Sequence, residues 1–413
     1  MSLLESELYH SFLYFMNETN NDESSLGYGL IRDNTKDKDM ASVASVGYGL
    51  SAYVIGVENG YITYEEGKRR VIKTLQTFDT NIDHYEGFFL HFVDMTSGKP
   101  FRKSEFSTID TTLFLNGALT CDAYFDEVEI HELFQRIFQR VNWGKFIHDF
   151  NGKKVFRMAY NPISGGDYRG ESNDPWIYQW HMYAEQLSMY FLAAASGDIS
   201  KTDALALFNG FERKLGKYDE FEYYYSPTNA LFVYQFSHAW LDFKTITDAS
   251  GIDWFENSKI ATLANQRWCK NHQDQYKTIS ETCWGLTACL TPKGYRNQCI
   301  DPNDLKPKEE HVFGVLPPCG SLGSIVFTPN ESKMAIEEIY KLYPKSFQDY
   351  GFTDGILKQN KKKTWISKDY VGINKGISLL MIDNYLHGTT WKYYMKHPLI
   401  QKALQKLNFE RKQ

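Results

Sequence analysis

Several signatures that assign function at a glance are missing from this chain of 413 residues. No GxGxxG follows a strand-like run, and no GxxxxGK[ST] or G-x-S-x-G occurs. Their absence removes the simplest nucleotide-cofactor and serine-hydrolase readings. The six cysteines, Cys121, Cys269, Cys283, Cys289, Cys299 and Cys319, make no CxxC pair. Parity allows three disulfides, but nothing in the spacing enforces them, so reduced thiols are expected. No basic block or stripe stands out among 45 basic and 51 acidic residues with a net charge of -6, which argues against a nucleic-acid partner. No run of 18 apolar residues exists, so neither a membrane-spanning helix nor a membrane partner is expected. The opening MSLLESELYHSFLYFM begins acidic, has no basic n-region and reads as an amphipathic helix rather than a signal peptide. A cytoplasmic location is the expectation it carries, or a periplasmic or secreted one if a leader has been removed.

What the chain does have is aromatic surface: 28 Phe, 28 Tyr and 9 Trp, many beside polar groups rather than inside aliphatic runs. That pattern fits a polar cleft with ring platforms, and also a large helical core. Helical periodicity recurs over about 4–18, 41–58, 64–79, 108–124, 127–140, 176–195, 201–215, 229–243 and 253–271. It returns near 281–289, 332–345, 374–386 and 397–406. Strand-like pieces such as FEYYYS are short. Two helices, LFLNGALTCDAYF and ISLLMIDNYL, are apolar nearly all round and must be buried on more than one side. An inner ring of helices wrapped by an outer ring meets that requirement, and no fixed-period repeat supports a solenoid instead. No Pro/Ser linker divides the chain. One all-α domain over 1–413 is expected, with 1–39 as N-terminal helix and lead-in. The Pro- and Gly-rich stretch 291–323 reads as a long rim loop or a lid.

Four places carry chemistry. In RKSEFSTIDTTLFLNGAL, Ser107 and Asp110 open an apolar helix. They form a capping box or its near relative, which leaves Asp110 free to face a cavity as well. In WIYQWHMYAEQLSMYFLAA, read as one helix, Trp176, Trp180 and Tyr183 lie near each other and His181 pairs with Glu185 at i,i+4. Glu185 is either an interfacial polar partner or a carboxylic acid whose pKa the rings lift, poised to protonate a leaving oxygen. In LFVYQFSHAWLDFK, Gln235, His238 and Asp242 share a stripe near Trp240, as structural pairs or as substrate ligands. Taken together, His181, Glu185, His238 and Asp242 also allow a metal reading, but HExxH spacing is absent and no metal or cofactor is assigned. In DYVGINKGISLLMIDNY, Asn374 and Lys375 stand at a loop-to-helix entry between Asp369 and Asp383. Carboxylates among aromatic platforms are what glycoside hydrolysis needs: one group protonates the glycosidic oxygen, the other activates water or attacks the anomeric carbon.

The segments ASVASVGYGLSAYVIGVENGYIT, GFFLHFVDMTSG, SEFSTIDTTLFLNGAL, FVYQFSHAWLDF, WFENSKIATLANQRWC, WGLTACLTPKGY and YVGINKGISLLMIDNY occur in this order from about residue 40 almost to the C-terminus. On them the chain resembles the glucoamylase-like family of bacterial glycoside hydrolases. That family includes β-1,2-glucanases, sophorose-releasing exo-enzymes and a domain of cyclic β-1,2-glucan synthases. The resemblance implies an (α/α)6 barrel, in agreement with the helix pattern. It implies a β-glucan substrate, most readily a β-1,2-linked one, cleaved with inversion. Residue by residue it implies Glu185 as general acid, in a Trp-x-x-Tyr-x-Glu setting kept as Trp180, Tyr183 and Glu185. Asp110 is implied as a carboxylate of the cleavage subsite. It also implies His91, Asp94, Gln235, His238, Trp240 and Asn374 as substrate-binding residues beside Trp180 and Tyr183. One departure stands out. The family segment usually reads Gly-Ile-Asp-Gln-Gly where this chain has Gly372, Ile373, Asn374, Lys375 and Gly376. An amide has no titrating carboxylate and cannot serve as a general base. If the usual Asp is the base, the chain borrows another acid such as Asp110, or is a transglycosylating, phosphorolytic or carbohydrate-binding relative.

Overall fold

Which helices lie innermost follows from their polarity. The computed structural model describes residues 2–169, 174–226, 229–300, 302, 312–359 and 363–412. In chain order its helices are α1 (Leu3–Asn17), α2 (Val43–Glu58), α3 (Tyr64–Thr80), α4 (Thr108–Phe125), α5 (Val128–Arg140), α6 (Leu187–Ala195) and α7 (Lys201–Gly210). There follow the single turn α8 (Phe232–Gln235), α9 (Trp254–Asn271), α10 (Pro318–Leu322), α11 (Pro329–Leu342), α12 (Gly372–Leu386), α13 (Thr389–Tyr394) and α14 (Pro398–Lys406). Every residue of α6 is buried, as is α2 from Val43 to Gly56, and most of α4 and α12. By contrast, α5 buries only Ile130, Leu133, Phe134, Ile137 and Phe138, the stripe expected of a helix with one face to water. Packing agrees. The inner helices run in the order α6, α4, α2, α12, each touching the next. Outside them, α1 lies on α12, α3 on α2, α5 on α4, and α7 and α14 on α6.

The fold is mostly helical. Among the described residues the strands are short and almost all in antiparallel pairs. The longest, Lys153–Tyr160, takes Phe106–Ser107, Ile147–Phe150 and Trp176–Gln179 as partners. All six cysteines are unbridged, as their spacing led one to expect.

Four expected helices are corrected. Residues 176–195 are not one helix: Trp176–Gln179 is a strand, a turn follows, and α6 starts at Leu187. Tyr178, with a φ of 36°, leaves the helical region, and the β-prone aromatics pair with Lys153–Tyr160 instead. The helix expected over 201–215 stops at Gly210, because Lys214–Tyr218 and Phe221–Tyr225 form a hairpin. That over 229–243 shrinks to α8 and a turn of 3-10 helix at Phe236–Ala239. None forms at 281–289, where Gly285 has a φ of 124° and its backbone abuts that of Gly320. In the stretch 291–323, residues 301 and 303–311 lie outside the described residues. Its described end contains α10.

The inner helices α2 and α4 pack without room for a side chain between them. A Cβ added to Gly117 would sit 2.0 Å from the Gly47 carbonyl oxygen, and one on Gly47 would sit 2.2 Å from that of Leu113. Backbone meets backbone there, and no side chain can yield. Gly117→Ala is therefore expected to destabilise the chain by at least about 1–3 kcal/mol, the usual range for overpacking, despite alanine's better helix propensity. A urea unfolding midpoint no lower than wild type would contradict this.

Candidate active site

Three inner helices bring their N-termini to one place. Ser42 caps α2, Ser107 caps α4, and Val371 precedes α12. A cavity of about 790 Å3 opens there, lined by residues of these first turns such as Ala44, Asp110 and Ile373, and by Glu185 just before α6. Its volume lies in the range of small-ligand pockets. Helix N-termini carry partial positive charge, which suits the four carboxylates on its wall: Asp33, Asp110, Asp167 and Glu185.

Glu185 sits on the turn that replaces the expected helix, and that turn is fastened from three sides. The Trp180 indole N–H donates to Thr108 Oγ1 at 3.0 Å. The Tyr183 N–H donates to the Glu212 carbonyl at 3.0 Å. The Ser237 hydroxyl donates to the Glu185 carbonyl at 2.7 Å. The Glu185 side chain thus faces the cavity from a fixed backbone. Burial pushes its carboxyl up to about 7, and the charge of Asp110 adds to the rise, against a lowering hydrogen bond from its own backbone.

Asp110 does two things at once. Its N–H donates to the Ser107 hydroxyl oxygen, its carboxylate accepts the Ser107 O–H, and the same carboxylate lines the cavity. The cap and the cavity-facing role coexist. His91 links it to a further acid: Nδ1 is 2.8 Å from Glu105 Oε1, and Nε2 is 3.6 Å from Asp110 Oδ1. Burial disfavours the imidazolium, but the charges of Asp110, Glu105 and Asp33 outweigh it and hold His91 up at about 9. The ring stacks on Phe92, with centroids 3.6 Å apart, and Tyr168 lies over it at 5.9 Å.

Of the other residues expected to bind substrate, most stand behind the wall. Tyr183 packs on Trp254 with centroids 4.8 Å apart. The Gln235 amide donates to Gly320 O and Ser324 Oγ, both at 2.8 Å. His238 meets Ser258 Oγ at 3.0 Å, and burial pushes its imidazole down to about 3. The Trp240 indole donates to Ser51 Oγ at 2.9 Å. Trp180 is spent on Thr108, and Asp94 accepts two backbone N–H groups and the Ser97 hydroxyl to close a hairpin turn. The His238 segment instead contributes Phe232 and Phe236 to the cavity. The quartet of the metal reading does not assemble: His181 bonds back to Gln179 O and packs on Phe150, while Asp242 accepts the Lys244 N–H. Among the described residues, no three His, Cys, Asp or Glu side chains converge as a metal ion would need.

Asn374 lies just behind Ile373. Its amide N–H groups donate to Asp354 Oδ1 at 2.7 Å and to the Ala288 carbonyl at 3.1 Å. Burial pushes Asp354 up to about 6 despite that bond and one from the Leu290 N–H. Lys375 points the other way, to a buried ion pair with Glu7 of α1 at 2.5 Å. Glu7 also accepts the Ser11 hydroxyl and the Phe352 N–H. The sequence hid Asp33, Glu105, Tyr168 and Tyr295 from view, since none stands in an apolar periodic run; Tyr295 lies on the short strand Gly294–Arg296.

A β-1,2-glucanase structure from Parabacteroides distasonis superposes with a TM-score of 0.82 at 25% identity, covering 98% of this chain and 60% of that one. An endo-β-1,2-glucanase from Chitinophaga pinensis, solved with sophorotriose and glucose, superposes with a TM-score of 0.84 at 25% identity, over 99% of this chain and 98% of that one. An exo β-1,2-glucooligosaccharide sophorohydrolase (non-reducing end) of P. distasonis is 28% identical over 412 residues, covering 92% of this chain. The chain spans about half, 54%, of that curated relative's length. The Glycoamylase family pattern matches residues 177–398, more than half of the sequence, and runs from the strand before Glu185 to the first residue of α14. On that match the chain belongs to the glycoamylase family.

Proposed function

We propose that the protein is a glycoside hydrolase acting on β-glucan, most specifically a β-1,2-linked one. The observation that carries this reading is a proton-holding carboxyl and a charge-paired carboxylate on one cavity wall. Glu185, raised to about 7, is suited to give a proton to the glycosidic oxygen. Asp110, beside the protonated His91, is suited to hold sugar hydroxyls and to stabilise positive charge developing at the anomeric carbon. The named substrates of the sophorohydrolase and glucanase relatives support the β-1,2 linkage. Inversion is the stereochemistry we favour. The double layer of helices supports a single (α/α)6 toroid over the whole chain, and Tyr295 and Asn297 of the expected rim loop line the cavity.

A second reading has one observation behind it. Asn374, committed to Asp354 and Ala288, supplies no base, which suits a carbohydrate-binding or transglycosylating relative. Saturable binding of β-1,2-glucan without any released product would favour that reading over hydrolysis.

Glu185→Gln should lower kcat on linear β-1,2-glucan by about 10²–10⁴-fold, the usual value of a general acid, with little change in KM. Chromatography of released sophorose and short oligosaccharides reads this directly. Near-wild-type turnover in the variant removes Glu185 from the mechanism. Because the acid must carry its proton to act, kcat/KM should fall as pH rises through about 7. A profile still flat at pH ~9 contradicts the assignment of that pKa to an essential acid.

A further inference from the structure

Glycoside hydrolysis needs a carboxylate besides the acid, to take a proton from water or to attack carbon. The hydrolase reading above, on which this inference rests, leaves that post open. Three cavity carboxylates could fill it. Asp110 is engaged on both sides, accepting the Ser107 hydroxyl in the α4 cap and standing 3.6 Å from His91 Nε2. Asp167 belongs to the segment after the strand Lys153–Tyr160, and its N–H donates to the Lys103 carbonyl beside the His91–Tyr168 stack. Behind the wall, Asp354 has its oxygens on Asn374 and the Leu290 N–H.

Asp33 is placed differently. Its N–H donates to the Met40 carbonyl at 3.0 Å, and its carbonyl accepts the Gly372 N–H at 2.7 Å. The next residue, Asn34, bridges Val371. These bonds pin Asp33 where the first turns of α2 and α12 reach the cavity, while Glu185 precedes α6. Asp33 and Glu185 thus line one cavity from different helix ends, and the charge of Asp110 acts on both. Glycoside hydrolysis draws its acid and its second carboxylate from one such cavity. The Asp33 carboxylate accepts from Asn34 Nδ2 at 3.0 Å.

We propose that Asp33 is the carboxylate that activates the attacking water. Directly or through one further water, it takes a proton as the water oxygen bonds the anomeric carbon. The glycosidic C–O bond breaks in the same step, and the Glu185 proton goes to the leaving oxygen. One water is consumed, and both carboxyl groups return to their starting states by proton exchange with solvent. Burial raises Asp33 above the ordinary aspartate value, which strengthens it as a base.

The test compares wild type, Asp33→Asn, Asp33→Ala and Glu185→Gln on linear β-1,2-glucan and on β-sophorosyl fluoride, whose leaving group departs without a proton. Asp33→Asn should lose about 10²–10⁴-fold on both substrates. Glu185→Gln should lose activity on the glucan and keep it on the fluoride. Sodium azide should restore turnover to Asp33→Ala and yield a glycosyl azide, a product that a merely damaged fold cannot form. Asp33→Asn within tenfold of wild type on both substrates overturns the assignment, and so does a folded Asp33→Ala that azide fails to rescue. Should Asp33→Ala not fold, the isosteric Asp33→Asn decides through its rate on the fluoride. A wild type inert on both substrates overturns the hydrolase reading itself, which is distinct from an active wild type that tolerates Asp33→Asn.

Discussion

One cation holds the cavity together. His91 stands among Asp33, Glu105 and Asp110, and without a positive charge there three carboxylates would share a poorly hydrated pocket. Such a cluster relieves itself by taking up protons. The imidazolium changes that outcome selectively. It neutralises the acids it touches, while Glu185, out on the turn before α6, gets no such partner and is left to burial. The proton affinity of Glu185 is thereby set by burial and by the nearby charge of Asp110. The N-termini of α2, α4 and α12 add a weaker positive field from below.

Asn374 and Lys375 show how a departure at the family's usual Asp-Gln pair is absorbed. Each side chain finds a buried carboxylate: Asp354, 20 residues earlier, for the amide, and Glu7, 368 residues earlier, for the ammonium. Burying an ion pair gains little over an apolar pair, but removing one partner is costly because the other charge is stranded. The two positions therefore belong to the framework of α12 as much as to the cavity, and neither is free to drift alone.

Much of the architecture was legible from sequence because it rests on periodicity. The bounds of α2, α4, α9 and α12 follow from apolar runs and caps within a residue or two. Glu185 and Asp110 stood out as carboxylates beside aromatic rings and at a helix cap, His91 through the family resemblance, and all three line the cavity. What failed is equally particular. WIYQW looks helical by spacing, but its aromatic residues had a strand partner at Lys153–Tyr160 that no local pattern announces. Gln235, His238 and Trp240 look like ligands because they are polar or aromatic on an apolar stripe. In the fold they satisfy one another's neighbours: Gly320, Ser258 and Ser51. Asp33 was invisible because IRDNTKDKDM reads as a solvated loop. Its importance comes from a contact more than three hundred residues away in sequence.

That contact also sets a timetable. Asp33 and Asn34 pair with Gly372 and Val371, and Thr35 pairs with Tyr370, so the cavity closes only when the two ends of the chain meet. Loops of this length are slow to close, and contacts across them form late. On a ribosome, the α2 and α4 walls can pack long before α12 has been synthesised. The acids of the cavity are then spread over an open arc and remain hydrated. The contacts of Asp33 and Asn34 with Gly372 and Val371 then form last, on a segment that the Asp33–Met40 bond already holds beside α2.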